Sequence, residues 1–174
     1  MTDMSTISVD ERLSGPFARV LADVQATGVD VGEIAKVSVN NRLTSSWGRC
    51  AKFIVSGTAI FRIEVNQRLL NTDDDYPLRN TLAHEIIHTV PGCYNHGDAF
   101  KCVGGLLHKL MPEYNIRRTT SALEYNLPDL KKKAKYLLVC EDCKTTWEYQ
   151  RRSKVVGNPQ NYHCSCGGKI RRVR

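Results

Sequence analysis

Residues 77–92 read Pro-Leu-Arg-Asn-Thr-Leu-Ala-His-Glu-Ile-Ile-His-Thr-Val-Pro-Gly, with His84-Glu85-Ile86-Ile87-His88 at their centre. Pro77 suits the first turn of a helix, and Asp73-Asp74-Asp75 just ahead favours the positive end of the helix dipole. Leu78, Leu82, Ile86 and Val90 recur at spacing four, and Pro91-Gly92 stops the run. The stretch is therefore predicted helical. On a helix, positions i and i+4 lie one above the other. His84 and His88 then share one face beside the apolar stripe and can grip one metal ion. Glu85 stands where a carboxylate takes a proton from an activated water, the arrangement of a zinc peptidase.

A catalytic zinc takes three protein ligands and leaves one position open. The metzincin spacing needs a glycine three residues after the second histidine and a histidine three further on. Those positions hold Pro91 and Tyr94, so that pattern fails. Glu113 is the nearest later glutamate, but it follows helix-breaking Pro112. His96 is the better third ligand, because a chain that turns at Pro91-Gly92 can bring it back toward the metal. Tyr94 reads as a buried aromatic in that turn, and no residue stands out as an oxyanion stabiliser.

Around this helix the chain reads as α+β, with helices packed on a small sheet. Leu13, Phe17, Val20, Leu21 and Val24 have helical period between Val9 and Ala26, although Gly15-Pro16 blunts the start, and Gly28 ends it. Lys36–Asn40 alternates as a strand with Val37 and Val39 on one face. Ala51–Val55 and Ala59–Val65, separated by Ser56-Gly57-Thr58, read as a hairpin. Gly97–Leu110 is predicted helical, with Ala99, Phe100, Val103, Leu106, Leu107 and Leu110 as its apolar face. Its Gly104-Gly105 pair costs helix propensity and points to a close packing contact. Cys93 and Cys102 read as packed thiols and His108 as a polar-face residue, while Cys50 receives no role. Residues 113–130 are polar and read as a linker between domains at 1–112 and 131–174.

The last 44 residues differ in kind. They carry 12 basic and three acidic residues, a balance of +9 in a chain whose net charge is +7. Cys140-Glu141-Asp142-Cys143 is followed, after 20 residues, by Cys164-Ser165-Cys166-Gly167-Gly168. Two close pairs read as a structural four-cysteine zinc site in a ribbon of short strands near Tyr136–Val139, Thr146–Gln150 and Lys169–Val173. The second pair is CxC, so His163 is an alternative to Cys164. A module of this size cannot build a sufficient core without a staple. Arg151, Arg152, Lys154, Lys169, Arg171 and Arg172, with the terminal Arg174, suit phosphate contacts. Tyr149, Tyr162 and Trp147 between them offer stacking surfaces, although Trp147 reads first as cover for the ribbon's core. No base-reading pattern is present, so sequence-independent binding is expected, single strands included.

His84-Glu85-Ile86-Ile87-His88 followed by His96-Gly97-Asp98-Ala99-Phe100 resembles the HExxH…HGxxF arrangement of SprT-like proteins, which include the Spartan proteases. Asn41-Arg42-Leu43, Trp47-Gly48-Arg49-Cys50, Phe61–Val65 and Leu69-Leu70 look like the stretch preceding that family's helix. The resemblance spans roughly residues 35–110 and continues into the ribbon. It implies a zincin-like metalloprotease fold, a catalytic Zn2+ on His84, His88 and His96, and Glu85 as general base. Several members digest proteins crosslinked to DNA and are switched on by DNA. For others, proteolysis is assumed rather than known.

Composition narrows the field. An apolar fraction of 41% supports a real core, and no run is long enough to span a bilayer. Met1-Thr2-Asp3-Met4-Ser5 has no signal-peptide character, so a cytoplasmic monomer with reduced thiols is expected, associated with the nucleoid or, in a host with a nucleus, nuclear. Two zinc ions per chain are expected. Two other functions fit the same residues: a non-proteolytic DNA-binding protein with a vestigial zincin domain, or a protease dedicated to one regulatory protein. An intact Glu85 speaks against the first, and the basic C-terminal quarter against the second.

Overall fold

The computed structural model describes residues 7–128 and 134–174, so Met1–Ser5 and Lys131, Lys132 and Lys133 of the basic run lie outside the described residues. The chain divides into two compact units, Met1–Leu130 and Lys131–Arg174. The architecture is mixed α+β, with a sheet in each unit and four α-helices among the described residues.

The sheet of the first unit contains β1 (Ser8–Val9), β2 (Glu33–Asn40), β3 (Gly48–Val55) and β4 (Thr58–Asn66), in the order β1-β2-β4-β3. β1 and β4 run parallel to β2, and β3 closes an antiparallel hairpin with β4 at the sheet's edge. The hairpin predicted from the β-branched runs turns on Ser56 and Gly57, both at positive φ as a two-residue turn of this hand requires. In β2 the register shifts between Ile34 and Lys36. That irregularity lets Ile34 and Val37, three apart, both reach the core, while Val39 is only partly covered.

Helix α1 (Ser14–Gln25) buries the expected Phe17, Val20, Leu21 and Val24, with Leu13 just ahead of it. Gly15 and Pro16 sit in its first turn, where a missing N–H costs nothing. Helix α2 (Tyr76–Ile87) carries the central motif. It is not the amphipathic helix that a spacing-four stripe predicts. Asn80, Thr81, Ala83, Glu85 and Ile87 are buried as well as Leu78, Leu82 and Ile86, because α1, β3, β4 and α3 pack around it. It also ends sooner than Pro91 requires: His88 caps it, and Thr89 and Val90 continue in tighter three-residue turns.

Helix α3 (Asp98–Leu110) presents Phe100, Val103 and Leu107 to the core. Ala99, Leu106 and Leu110 were expected on the same face and are exposed. Cys102, expected to be a buried thiol, is exposed too. At 3.6 residues per turn, a residue two after Phe100 points nearly to the opposite side. Gly104 has the predicted packing reason, since a Cβ there would lie 3.1 Å from Cβ of Ile116, whereas Gly105 faces open space.

The largest departure is at residues 113–130. Their described part is irregular, as a linker would be, but it is packed onto the first unit. Tyr114 is 1% exposed and its hydroxyl donates to Asp23. Asn115 exchanges two hydrogen bonds with the Asn80 side chain, and the indole N–H of Trp47 donates to Thr120 O at 3.1 Å. Tyr125 is buried against Trp47 and Tyr76, with ring centroids 5.6 and 5.9 Å away. The hydrogen-bond partners lie 35 to 91 residues earlier in the chain, so composition alone could not reveal this packing.

The second unit is a three-stranded sheet, β6-β5-β7, of β5 (Tyr136–Cys140), β6 (Thr146–Tyr149) and β7 (Ile170–Arg172). Its core holds Leu138, Cys140, Val156, Cys164 and Ile170, with Trp147 packed against it. A short helix α4 (Lys154–Gly157), capped by the Ser153 hydroxyl, supplies Val156 and has no counterpart in the periodicity.

Tyr114→Ala is expected to destabilise the first unit by about 3–5 kcal/mol, as for other buried aromatics. Urea unfolding measures this; a change near zero would mean that the segment does not pack.

Candidate active site and metal centres

The i, i+4 geometry of α2 stacks His84 above His88, and the Pro91-Gly92 turn returns the chain so that His96, just ahead of α3, meets them. Gly92 has a φ of +81°, which the reversal needs. Nε2 of His84 lies 3.2 Å from Nε2 of His88 and 3.0 Å from Nε2 of His96. A tetrahedral zinc with Zn–N near 2.0–2.1 Å sets its nitrogens about 3.3–3.4 Å apart, so the donor set fits that ion. His88 Nδ1 is 2.9 Å from Cys93 O, and the Arg117 carbonyl accepts from His84. The bond to Cys93 O places the His88 proton on Nδ1 and leaves its Nε2 free to ligate. Glu113, the other ligand considered, does not join the cluster.

Burial pushes the His84 imidazole down to about 3, aided by His88 and His96. Burial likewise lowers His88 and His96, and the Arg118 charge adds to the effect at His96. Neutral imidazole is the ligating form. Glu85 is only 6% exposed, and its desolvation raises its carboxyl to about 8, against the opposing hydrogen bond from the Cys50 backbone. A cation bound beside it would favour the carboxylate. Gly48 makes room for this carboxylate, since a Cβ there would lie 2.5 Å from Glu85 Oε1. The short stretch before the hairpin gave no independent signal of that role.

The three histidines and Glu85 line an open groove of about 590 Å³. The Ser45–Cys50 stretch borders it, and so do Arg118–Ala122 and Tyr125 from the segment read as a linker. Tyr94 lines it as well and is 50% exposed, not the buried turn aromatic its context suggests. Cys50 borders the groove, with its thiol raised to about 12 by burial and by Glu85. Cys93 is buried, as expected of a packed thiol, and His108 is exposed with Nδ1 2.7 Å from Tyr114 O.

In the second unit, Cys140, Cys143, Cys164 and Cys166 converge. Two sulfur pairs, Cys140–Cys166 and Cys143–Cys164, stand 3.5 Å apart. That is too far for a disulfide and near the spacing of about 3.8 Å set by tetrahedral Zn–S bonds of 2.3 Å. His163 lies outside the cluster and bridges Lys169 instead. Gly167, at φ +88°, makes the turn of the second pair, and a Cβ on Gly168 would press on Cys140 Sγ at 2.6 Å. Thr145 Oγ1, 3.1 Å from Cys143 Sγ, lowers that thiol to about 6 and favours the ligating thiolate. Arg151, Arg152, Lys154, Lys169, Arg171 and Arg172 are all exposed, and Arg171 approaches Glu141 at 3.8 Å.

Both clusters are potential metal-binding groups that suit zinc. The model of the SprT-like family matches residues 21–120, a span that includes all three histidines and Glu85. No curated protein matches the chain.

Metal analysis of the full chain is expected to give two zinc ions, with Cys140→Ser losing one of them; one ion in the unaltered protein would contradict either cluster. In metal-free protein, the lowered His84 loses stability as pH falls from 6.5 toward 3, because the unfolded chain binds that proton first. The raised Glu85 acts in the opposite sense and loses stability as pH rises from 4.5 toward 8. Thermal unfolding across that range should therefore show a maximum between the two limbs, and Glu85→Gln should flatten the alkaline limb alone.

Proposed function

The chain belongs to the SprT-like family, whose members usually carry a zinc metalloprotease-type domain, and on that premise we propose that it is a zinc-dependent endopeptidase of zincin fold. Its substrates are proteins bound or crosslinked to DNA, and its ribbon binds DNA without reading sequence. The observation that carries the peptidase reading is the convergence of three imidazole Nε2 atoms beside a buried carboxylate in an open groove.

His84, His88 and His96 hold the catalytic ion, and Cys140, Cys143, Cys164 and Cys166 a structural one. Zinc in the first site supplies Lewis-acid polarisation of the peptide carbonyl and acidifies a water. Glu85 does the proton work: it accepts a proton from the attacking water and passes it to the leaving amine. Its buried position limits competing solvent, and the bare Gly48 Cα leaves the space that its carboxylate occupies. The carbonyl of Cys93 keeps His88 in its ligating tautomer.

The DNA part of the reading rests on charge and exposure. The described arginines and lysines of the ribbon are exposed, and the basic residues of 131–174 far outnumber its acids. Such cations displace counterions from a phosphate backbone, giving affinity without sequence preference. Tyr162 is 37% exposed and is available to stack on an unpaired base, whereas Trp147 serves the ribbon's core.

The test compares wild type with Glu85→Gln on a protein crosslinked to DNA. Cleavage should require zinc, rise when DNA is present and vanish in Glu85→Gln while zinc content stays the same. Replacing Arg151, Arg152, Arg171 and Arg172 with Gln should remove the DNA stimulation and lower the salt dependence of DNA binding by about one per lost phosphate contact. Intact substrate after incubation with clean wild-type enzyme would sink the proposal.

A further inference from the structure

One wall of the groove is not explained by the metal ligands or by Glu85. Residues 115–125 are tied down on both sides of Arg118. Asn115 is bonded to Asn80, and the Thr120 carbonyl to Trp47. Arg117 is bonded to Asn115 and to Glu124, whose carboxylate also caps Ser121. The Tyr125 hydroxyl meets both Asn80 and Thr81 on α2. Every one of these ties uses a neighbour of Arg118 and none uses Arg118 itself. Among the described residues it has no hydrogen-bond or ion-pair partner, yet it lines the groove together with all three histidines. Its charge is felt at His96, and the carbonyl of the residue before it bonds to His84. The other arginine in the groove, Arg49, is already paired with Glu64 at 2.6 Å.

Peptide hydrolysis builds negative charge on the carbonyl oxygen, and a fixed donor aimed at that charge accelerates the step. We propose that Arg118 is a catalytic residue that stabilises the oxyanion formed at the scissile carbonyl. This rests on the peptidase reading above. The water oxygen bonds to the carbonyl carbon, its proton goes to Glu85, and the carbonyl π pair moves onto oxygen, where the guanidinium donates. When the C–N bond breaks, the pair returns to re-form the carbonyl and the Glu85 proton goes to the amine. The segment that carries Arg118 is anchored, so the cation is presented with little reorganisation, while its side chain stays uncommitted until charge appears.

Tyr94 also offers a hydroxyl donor at the groove, with its ring 6.3 Å from that of His88. Its ring is engaged by Phe61 at 6.3 Å and by Lys52 at 5.8 Å. Arg118 also carries the full charge that an oxyanion calls for.

The deciding experiment uses the zinc-loaded full chain and a quenched peptide, with Arg118→Met, Arg118→Lys and Tyr94→Phe. Arg118→Met should lower kcat by about 10²–10³-fold and leave KM nearly unchanged. A phosphinic peptide that mimics the tetrahedral oxyanion, followed by calorimetry, should bind more weakly by a similar factor. Arg118→Lys should recover part of both, and zinc content and thermal midpoint should not move. Wild-type kcat in Arg118→Met, a loss confined to KM, or a loss carried by Tyr94→Phe instead would overturn the assignment. An inactive wild type would refute the peptidase reading itself, a result distinct from an active enzyme indifferent to Arg118.

Discussion

Desolvation of helix α2 is the constraint on which the rest of the molecule depends. Burial of a charged imidazole or carboxylate is expensive, so the same packing favours neutral His84 and His88 and raises the Glu85 carboxyl in the metal-free protein. Neutral imidazoles at helical spacing are ready ligands. A carboxyl raised toward neutrality is suited to take and return a proton near ordinary pH. Both properties follow from packing against α1, α3 and the sheet, which leaves only the groove side open. The helix gains little from its own propensity and much from its neighbours.

Enclosure also sets the groove. The Gly48 position must lack a side chain because Glu85 Oε1 occupies that space, and β3 must be an edge strand for the groove to stay open beside it. The segment 113–128 then completes the wall through Trp47, Asn80 and Tyr125, none of which carries chemistry itself. Their work is positional: they fix the Arg117 carbonyl on His84 and bring Arg118 to the site. A functional group is thereby delivered by residues whose own role is packing.

The ribbon follows the opposite logic. Its apolar core has five buried residues, two of them cysteines, which is too little to outweigh the entropy of ordering the unit. Cross-linking through a metal at Cys140, Cys143, Cys164 and Cys166, which converge on one point, would supply the constraint. Its described arginines and lysines are all exposed.

Much of this was legible in the sequence, and the reason is local geometry. His84 and His88 are four apart, the cysteine pairs are close, Gly28 and Gly57 mark turns, and alternating β-branched runs make a hairpin. Each of these acts over a few residues, so spacing alone determines it. His96 was legible because only a short turn separates it from the helix. What the sequence could not decide depends on contacts between distant residues. The burial of α2 beyond its apolar stripe, the exposure of Cys102 and Tyr94, and the packing of 113–128 depend on contacts with distant residues, among them Asp23, Trp47 and Asn80. A polar, irregular run has no periodicity to betray that its backbone is pinned by such side chains. Only the tertiary structure could turn an apparent linker into the wall of a site.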